Sequence, residues 1–541
     1  MNSVVGWDTL INAGYAGSGR IIANVEAGLV WDGHEAFHRP PGSPAAVGLT
    51  LSGTGALAEA DFHATMVGHV LAGTGYVALP SEGYTYAGLG MAPFAEIWSG
   101  AIATAYSPTE TGSFETSTES TVSVYRAFFQ GIGGLKPDVI NSSWGGSDPG
   151  AGSVEMLAID GLARQNSTVA FVASAGNGGS APVSAPGSTF NSITVGSLGG
   201  ASFLQPSSFS SSGAVDFFNP VTGQTLTGVR AAVDIAAPGE DLILAAYLGD
   251  SGAFGASTDP DIMAAVQVTP TPTDRYFRPQ SGTSFSAPIV AGGIALLKDA
   301  AANDFLFNLN GIPDASDTRV IKSVLMAGAT ETVGWNNGQA LNGAGVITTT
   351  QSLDYQTGAG ALDLNRAFDI YLLSGTRDVA GTNGGAISDK GWDFAAVGLA
   401  GHNDYRFKNP FDTAIELTVS LSWFAGRSFD NTLGIGEDLS FADLNLEVWQ
   451  VLNGAFSTLL AQSTSVYNNA EFLRVDLPAG TYGLRITFNG LVYETLGANV
   501  TNESYGVAWR SQAVPEPATI VLFLIGAGFL MLRVARRRNF F

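Results

Sequence analysis

The sequence contains no cysteine among its 541 residues. This absence excludes disulfide bonds, thiolate metal sites and a cysteine nucleophile, but it does not indicate a cellular compartment. Basic residues are also few, since 24 Lys and Arg stand against 47 Asp and Glu and give a formal net charge of −23. Because the only basic cluster lies at the extreme C-terminus, this balance argues against a nucleic-acid partner.

Histidine is scarce, with five residues in the whole chain, whereas glycine is abundant, with 69 residues and no collagen period. The length is sufficient for two or three domains with a sizeable core. A glycine-rich composition of this kind suits a loop-rich α/β domain that is followed by β structure.

The segment Ser281–Lys298 predicts a tight turn that leads into a buried helix. Gly282 permits the turn, and Pro288 is expected in the first helical turn, where a missing N–H costs little. The residues that follow are small or apolar on nearly all sides, so the helix should lie in the core. Ser284 stands at the start of this helix, where the helix dipole favours developing negative charge. Taken alone, this position fits a capping serine at least as well as a nucleophile.

The segment Gly282–Pro288 (GTSFSAP) resembles the nucleophile motif of the subtilisin-like serine proteases, the subtilases. The segment Asp61–Val70 resembles the histidine motif of the same family. This second resemblance implies that His63 is the general base and that His69, which the family does not require, is structural.

The segment Arg20–Gly28 resembles the family's strand that ends in the catalytic acid, with Glu26 where subtilases have aspartate. Glutamate is one methylene longer, so its side chain has to retract, or its strand has to shift, to reach His63 Nδ1. The carboxylate character is kept, and a Ser-His-Glu triad is chemically competent. Asp32 and Asp61 lie nearby in the sequence and remain alternatives, although neither stands at the predicted strand end.

Two further segments resemble motifs that line the subtilase substrate cleft, Pro137–Gly146 and Ser174–Gly178. The second resemblance implies that the Asn177 side chain is an oxyanion donor. Without the family resemblance, an asparagine after glycine at a strand end would be a turn residue. The two resemblances together imply substrate contacts for Ser143, Trp144, Gly145, Ala175 and Gly176.

Short apolar strands alternate with helices as far as about residue 370, which predicts a mostly parallel sheet covered by helices on both faces. Beyond Leu373, apolar and polar residues alternate, as in Ile415–Trp423, which predicts half-buried antiparallel strands. These patterns predict an α/β domain over residues 1–372, which the family resemblance implies to be subtilisin-like, and an all-β sandwich over residues 373–511. We expect the sandwich to stabilise the protein rather than to act in catalysis.

The last segment, residues 512–541, combines Pro515–Pro517, an apolar run over Ala518–Leu532 and a cluster of arginines. This pattern resembles the PEP-CTERM sorting signal of Gram-negative bacteria, and a plain C-terminal anchor is the alternative. The resemblance implies an exosortase-type processing partner and an exported protein, located in the cell envelope or outside the cell. The apolar run is short of the roughly 20 residues that span a bilayer, but with its flanks it can do so, with the arginines on the cytoplasmic side.

The first 20 residues contain no apolar core of a signal peptide. Because the opposite end of the chain resembles an export signal, we expect the natural start to lie upstream of Met1.

The order of acid, histidine and serine along the chain is that of subtilisin. It implies a serine endopeptidase that acts on protein or peptide substrates, with Ser284 as nucleophile and His63 as base. The alternative from another class is a catalytically silent subtilase fold that serves as a surface binding module, which the departure at Glu26 favours. The resemblance implies no cofactor and assigns no metal ligands, although it allows for structural calcium.

Overall fold

The computed structural model describes residues 2–39, 42–74, 88–107, 112–247, 266–268, 275–303, 309–378 and 385–514. Within these ranges the α-helices are α1 Trp7–Asn12, α2 Phe62–Ala72, α3 Thr118–Gln130, α4 Val154–Gln165, α5 Thr283–Asn303, α6 Thr318–Gly328 and α7 Leu364–Tyr371. Short 3-10 helices lie at Asn2–Val5, Glu35–Phe37, Leu309–Gly311 and Pro313–Ser316.

The strands of the first region are β1 Ile21–Glu26, β2 Val47–Ser52, β3 Glu96–Ala101, β4 Ala103–Tyr106, β5 Phe114–Thr116, β6 Val139–Ser142, β7 Ala170–Ser174, β8 Ile193–Gly199, β9 Gln205–Pro206, β10 Val215–Asn219, β11 Gln224–Arg230, β12 Ile235–Pro238, β13 Leu242–Ala245, β14 Val266–Val268 and β15 Arg275–Gln280. The strands that follow are β16 Ala340–Leu341, β17 Ile347–Thr349, β18 Thr376–Arg377, β19 Gly385–Ala386, β20 Lys390–Gly398, β21 His402–Lys408, β22 Ile415–Trp423, β23 Gly426–Asp430, β24 Ile435–Leu452, β25 Ala455–Ser463, β26 Ala470–Leu477, β27 Thr481–Glu494 and β28 Asn502–Ala513.

The first region is built on a parallel sheet in the order β12-β8-β7-β6-β1-β3-β2, with the short β9 antiparallel at β8. Strands β6, β7 and β8 are buried along their whole length, as expected for a parallel sheet covered on both faces. This confirms the predicted α/β class. Because the carboxyl ends of parallel strands share one edge, Glu26 and Ser142 end neighbouring strands at the same edge of the sheet.

Helix α5 packs against α2 and against the central strands of this sheet. It begins at Thr283, so Pro288 lies in the second turn rather than in the predicted first turn. At that position the missing N–H leaves the carbonyl of Ser284 without its usual helical partner. Among the described residues, α5 is also the one helix long and apolar enough to cross a membrane, but it is buried in the core.

The second region is a β-sandwich, as predicted. One sheet has the order β16-β17-β25-β24-β27-β21-β19 with β23 paired to β24, and the other has the order β18-β20-β28-β22-β26. The side chains between the two sheets form one apolar core that includes Tyr405, Trp423 and Trp509. The hairpin β16–β17 precedes residue 372, yet it joins this second region, because β17 pairs with β25. The boundary at residue 372 stays a prediction, as does the tail, which lies outside the described residues beyond Val514.

Arg427 of strand β23 connects the sandwich to the first region through a buried ion pair. Its side chain is 1% exposed and lies 2.8 Å from Asp160 of α4 and 3.3 Å from Asp438. The same guanidinium donates a hydrogen bond of 2.7 Å to the carbonyl of Ala151 and covers the Phe190 ring. The sandwich is therefore joined to the first region by buried charge as well as by apolar contact.

We expect Arg427→Met to destabilise the protein by about 3 to 5 kcal/mol, because it leaves the buried Asp160 carboxylate without its closest cation. Urea unfolding followed by tryptophan fluorescence measures this change. Arg406→Met is the matched control, since Arg406 is 41% exposed and lies 4.0 Å from Asp404. An exposed pair of this kind contributes less than about 1 kcal/mol. Equal unfolding midpoints for the two variants would contradict the prediction.

Candidate active site

Glu26 and His63 are in hydrogen-bond contact at the carboxyl edge of the parallel sheet. Glu26 ends strand β1, and His63 is the second residue of helix α2. The Glu26 Oε2 atom lies 3.0 Å from His63 Nδ1, with the Glu26 side chain 1% exposed and that of His63 28% exposed. Asp61 instead caps α2 by accepting hydrogen bonds from the backbone N–H groups of His63 and Ala64. Asp32 lies exposed in a turn. Of the three acids left open by the sequence, Glu26 is thus the one that reaches the imidazole.

The Glu26 side chain reaches His63 from the end of a regular strand. Strand β1 keeps a regular parallel register with β3 up to the pair of Glu26 and Ala101. The second carboxylate oxygen, Oε1, accepts a hydrogen bond of 3.0 Å from the backbone N–H of Ser143, the residue after β6. Both carboxylate oxygens of Glu26 are therefore in hydrogen-bond contact, one with His63 Nδ1 and the other with the N–H of Ser143.

Burial and charge act in opposite directions on this pair. Burial raises the pKa of Glu26, and the neighbouring His63 and the Ser143 N–H offset only part of this effect, so the net shift is upward from 4.5. Burial on its own would lower the pKa of His63, but the charge and hydrogen bond of Glu26, with a contribution from Asp61, outweigh it. The pKa of His63 therefore lies above its ordinary value of 6.5.

Ser284 is the second residue of α5, and its side chain is nearly buried at this edge. Its hydroxyl donates a hydrogen bond of 3.1 Å to the carbonyl of Ser143 rather than to His63. The Phe285 ring lies 6.0 Å from the His63 ring, centre to centre. Ser143 thus contacts both the acid, through its N–H, and the serine, through its carbonyl. Hydrogen bonds between catalytic groups are often absent without substrate and form in the complex.

Asn177 is held by Thr283, a contact that the sequence analysis did not assign. The Asn177 Oδ1 atom accepts hydrogen bonds of 2.9 Å from both the backbone N–H and the hydroxyl of Thr283. The Thr283 hydroxyl oxygen in turn accepts a bond of 3.1 Å from the N–H of Gly176. With Oδ1 occupied, the Nδ2 group remains as a donor. A Cβ atom at Gly282 would lie 3.5 Å from Nδ2, so glycine keeps the approach to this donor open.

A cavity of about 520 Å³ adjoins Ser284 and Asn177. Its described lining comes from residues 143–149, from the end of β7 and the loop after it, from Ser211 and from the start of α5. Four of the five predicted substrate contacts line it: Ser143, Trp144, Gly145 and Gly176. Ala175 does not, because its methyl group is fully buried against a small core that includes Val183 and Val233.

The Trp144 side chain forms a fixed part of this cavity wall. Its indole N–H donates a hydrogen bond of 3.0 Å to the hydroxyl of Tyr125, which lies 2.7 Å from Ser142 Oγ. The Phe114 ring meets the indole edge to face at 6.4 Å. These contacts set the orientation of the indole before any substrate binds.

The family model described as the subtilase family matches residues 53–357, which is more than half of the chain. The chain belongs to the subtilase family. The match includes His63, Asn177 and Ser284, whereas Glu26 precedes the matched residues. A second model, the PEP-CTERM protein-sorting motif, matches residues 513–538 and indicates that this subtilase is exported. A comparison with curated proteins gave no match.

Solved structures similar to this subtilase include proteases. The self-cleaved protease domain of PatA is 20% identical with a TM-score of 0.42, covering 66% of this chain and 98% of its own. The prenylagaramide maturation protease PagA is 20% identical with a TM-score of 0.43, covering 68% and 98%. The serine protease of Aeromonas sobria is 15% identical with a TM-score of 0.43, covering 93% and 89%. The family assignment rests on the family model, because these likenesses are remote.

His69, the other histidine of α2 in this subtilase, has the structural role that was predicted. It is buried, and its Nδ1 atom accepts a hydrogen bond of 3.0 Å from the N–H of Ala245. Its Nε2 atom lies 3.0 Å from the carbonyl of Gly88, to which it donates. Burial, reinforced by the nearby His34, lowers the pKa of His69 to about 3, so the ring is neutral and serves as a hydrogen-bonded part of the core.

Within the described ranges, no group of three or more histidine, aspartate and glutamate side chains of this subtilase could hold a metal ion. A structural calcium ion stays a prediction from the family resemblance.

Asn177→Ala is expected to lower kcat by about 10²- to 10³-fold with a smaller change in KM, because an oxyanion donor acts mainly in the transition state. Steady-state hydrolysis of a fluorogenic peptide measures both constants. Asn342→Ala, at an exposed turn of the β16–β17 hairpin, is the matched asparagine control. Parent-like kcat in Asn177→Ala would show that the oxyanion is held by other groups.

Proposed function

We propose that this subtilase is a serine endopeptidase in which Glu26 replaces the usual aspartate of the triad. The observation that carries the proposal is the contact of 3.0 Å between Glu26 Oε2 and His63 Nδ1, at the sheet edge where helix α5 presents Ser284. Its substrates are proteins or peptides that occupy the cavity beside Ser284.

In the acylation step, Ser284 Oγ attacks the carbonyl carbon of the scissile peptide bond. The hydroxyl turns from the carbonyl of Ser143 toward His63 Nε2, which takes its proton as general base. His63 then donates this proton to the leaving amine as the C–N bond breaks. The product is an acyl-enzyme at Ser284 and a free amino terminus.

In the deacylation step, water attacks the acyl carbonyl while His63 takes one of its protons. The tetrahedral intermediate collapses with return of the proton to Ser284 Oγ, and the new carboxyl terminus departs. In both steps the developing oxyanion is held by Asn177 Nδ2 and by the N–H of Ser284, at the positive end of α5.

Glu26 acts on His63 without exchanging a proton with substrate. Its carboxylate accepts the Nδ1–H bond, which fixes the tautomer with a free Nε2, and its negative charge stabilises the imidazolium formed in each step. The N–H of Ser143 on Oε1 keeps the longer side chain in place.

The same proposal places the enzyme at the cell envelope, with processing near Pro515–Pro517 by an exosortase-type enzyme. The sorting motif at residues 513–538 supports this placement. The last described strand ends at Ala513, and the N–H of Val514 donates to the carbonyl of Ala414, so the Pro-Glu-Pro sequence follows the sandwich directly.

A fluorophosphonate probe tests the proposal, since it reacts covalently only with an activated serine. The full chain is expected to be labelled at Ser284, as located by peptide mass spectrometry, and Ser284→Ala should remain unlabelled. A folded protein that shows no labelling would favour the silent binding module.

A further inference from the structure

Two glycines and a serine hydroxyl lie together in the wall of the cavity beside Ser284. Gly145 and Gly176 form two of its walls, and the Ser184 hydroxyl lies between them. A Cβ atom at Gly145 would lie 2.8 Å from Ser184 Oγ, and one at Gly176 would lie 2.6 Å from it. Any residue larger than glycine at these two positions would therefore clash with Ser184. A substrate side chain that enters the cavity meets the Ser184 hydroxyl.

The charge of the cavity comes from one side chain. Among the described residues that line it, Asp148 is the only one with an ionisable carboxyl or basic group. The Asp148 Oδ1 atom accepts a hydrogen bond of 3.2 Å from the N–H of Gly152, and Oδ2 accepts one of 2.8 Å from that of Ser153. These bonds hold the carboxylate in position. Since two carboxylate oxygens offer about four acceptor sites, acceptor capacity remains for a ligand.

No cation in the described part of the chain pairs directly with Asp148. Arg230 interacts with Asp148 electrostatically, but its electrostatic interaction with Asp160 is stronger. The Arg230 side chain is buried, donates to the carbonyl of Ser188 and packs on the Phe190 ring. Within the described residues, the negative charge of Asp148, a residue that lines the cavity, therefore has only the electrostatic interaction with Arg230 to offset it.

We propose that this cavity takes a lysine or arginine side chain from the substrate residue whose carbonyl is attacked, with Asp148 as its charge partner. The inference rests on the proposed function and adds the substrate class. An apolar side chain would remove water from the Ser184 hydroxyl and the Asp148 carboxylate without replacing their hydrogen bonds. A guanidinium or ammonium group supplies several donors for these acceptors. The formal net charge of −23 also favours the approach of cationic substrates.

The direct test uses fluorogenic peptides that differ only at this residue, with arginine, lysine, norleucine, leucine or phenylalanine. For the full chain, kcat/KM with arginine or lysine is expected to exceed that with norleucine, which has a similar length and no charge, by about tenfold or more. Asp148→Asn keeps an acceptor for the loop and is expected to lower the arginine-to-norleucine ratio by about tenfold. Asp216→Asn is the matched control, because Asp216 lies on neighbouring strand β10, where it accepts from Gly228 N–H and is not among the described lining residues.

Two results would overturn the inference: a parent that prefers leucine or phenylalanine, and an Asp148→Asn variant that loses activity equally on all peptides. The second result would mean that Asp148 only holds the loop through its bonds to Gly152 and Ser153 and does not bind the substrate side chain.

A binding measurement separates this inference from the proposed function. The Ser284→Ala variant should bind p-aminobenzamidine, a fluorescent cationic probe, and addition of Asp148→Asn should weaken the Kd by about tenfold or more. The probe could bind and lose affinity in Asp148→Asn while no peptide is cleaved and no serine is labelled. That result would contradict the proposed peptidase function but support the cation-binding pocket. Equal Kd values with and without Asp148→Asn would exclude Asp148 as the charge partner.

Discussion

Replacing Ser284 with alanine is expected to lower kcat for peptide hydrolysis by about 10⁶-fold, which removes turnover in practice. The hydroxyl of Ser284 is the only protein group in the proposed mechanism that forms a bond to substrate carbon. Without it, no acyl-enzyme forms, and the oxyanion donors and substrate binding together leave only about 10³- to 10⁴-fold acceleration over water. Hydrolysis of casein and of a fluorogenic peptide by the full chain measures the loss.

Ser286→Ala is the matched control, since it makes the same change two residues further along α5. The Ser286 hydroxyl is fully buried beside Gly239, and no described residue forms a hydrogen bond with it. Removal of an unpartnered buried hydroxyl is nearly neutral for stability, so this variant should remain folded and active. If Ser284→Ala kept more than about one per cent of the parent kcat, the nucleophile would have to be sought elsewhere.

The parts of the fold that were predicted correctly have local signals. The apolar runs of β6 and β7 identify buried parallel strands, and the alternation in Ile415–Trp423 identifies the sandwich. The position of Ser284 at the beginning of α5 is likewise indicated by neighbouring residues, because Gly282 permits the turn before the helix and the residues after Ser284 are small or apolar. Such features can be found from a single sequence.

The features that the sequence did not reveal depend on contacts between distant residues. The family resemblance implied Glu26 as the partner of His63, but the residues alone left Asp32 and Asp61 open, because the contact depends on how β1 packs against α2. The Asp148 carboxylate, the Ser184 hydroxyl and the Arg427 ion pair with Asp160 likewise result from loops and domains coming together. No periodicity in the chain marks these residues. Pro288 was misplaced by one turn for a different reason, because helix starts are uncertain by one or two residues.

Glu26→Gln is expected to lower kcat by about 10⁴-fold while the protein remains folded. Both partners of the carboxylate are donors, the Nδ1–H of His63 and the N–H of Ser143. A glutamine side chain has a single oxygen, so its NH₂ group must face one of these donors, and it carries no charge to stabilise the imidazolium. Glu26→Asp keeps the charge and is expected to retain far more activity than Glu26→Gln, although its shorter side chain reaches the two donors less well. Steady-state kinetics of both variants measure the difference.

The pH profile separates this role of Glu26 from a purely structural one. His63 acts as base only when neutral, and its pKa lies above 6.5 because Glu26 outweighs the effect of burial. The parent should therefore lose kcat/KM as the pH falls through a value above 6.5. In Glu26→Gln the raising charge is gone while burial remains, so the residual activity should persist to lower pH than in the parent. Asp61→Asn, which preserves the helix cap, is the control: it should stay active, and its acid limb should move less than that of Glu26→Gln, because Asp61 contributes less than Glu26 to the raised pKa of His63. Two results together would assign the orienting role to another acid. Glu26→Gln would be fully active with the same acid limb as the parent, and Asp61→Asn or Asp32→Asn would be inactive.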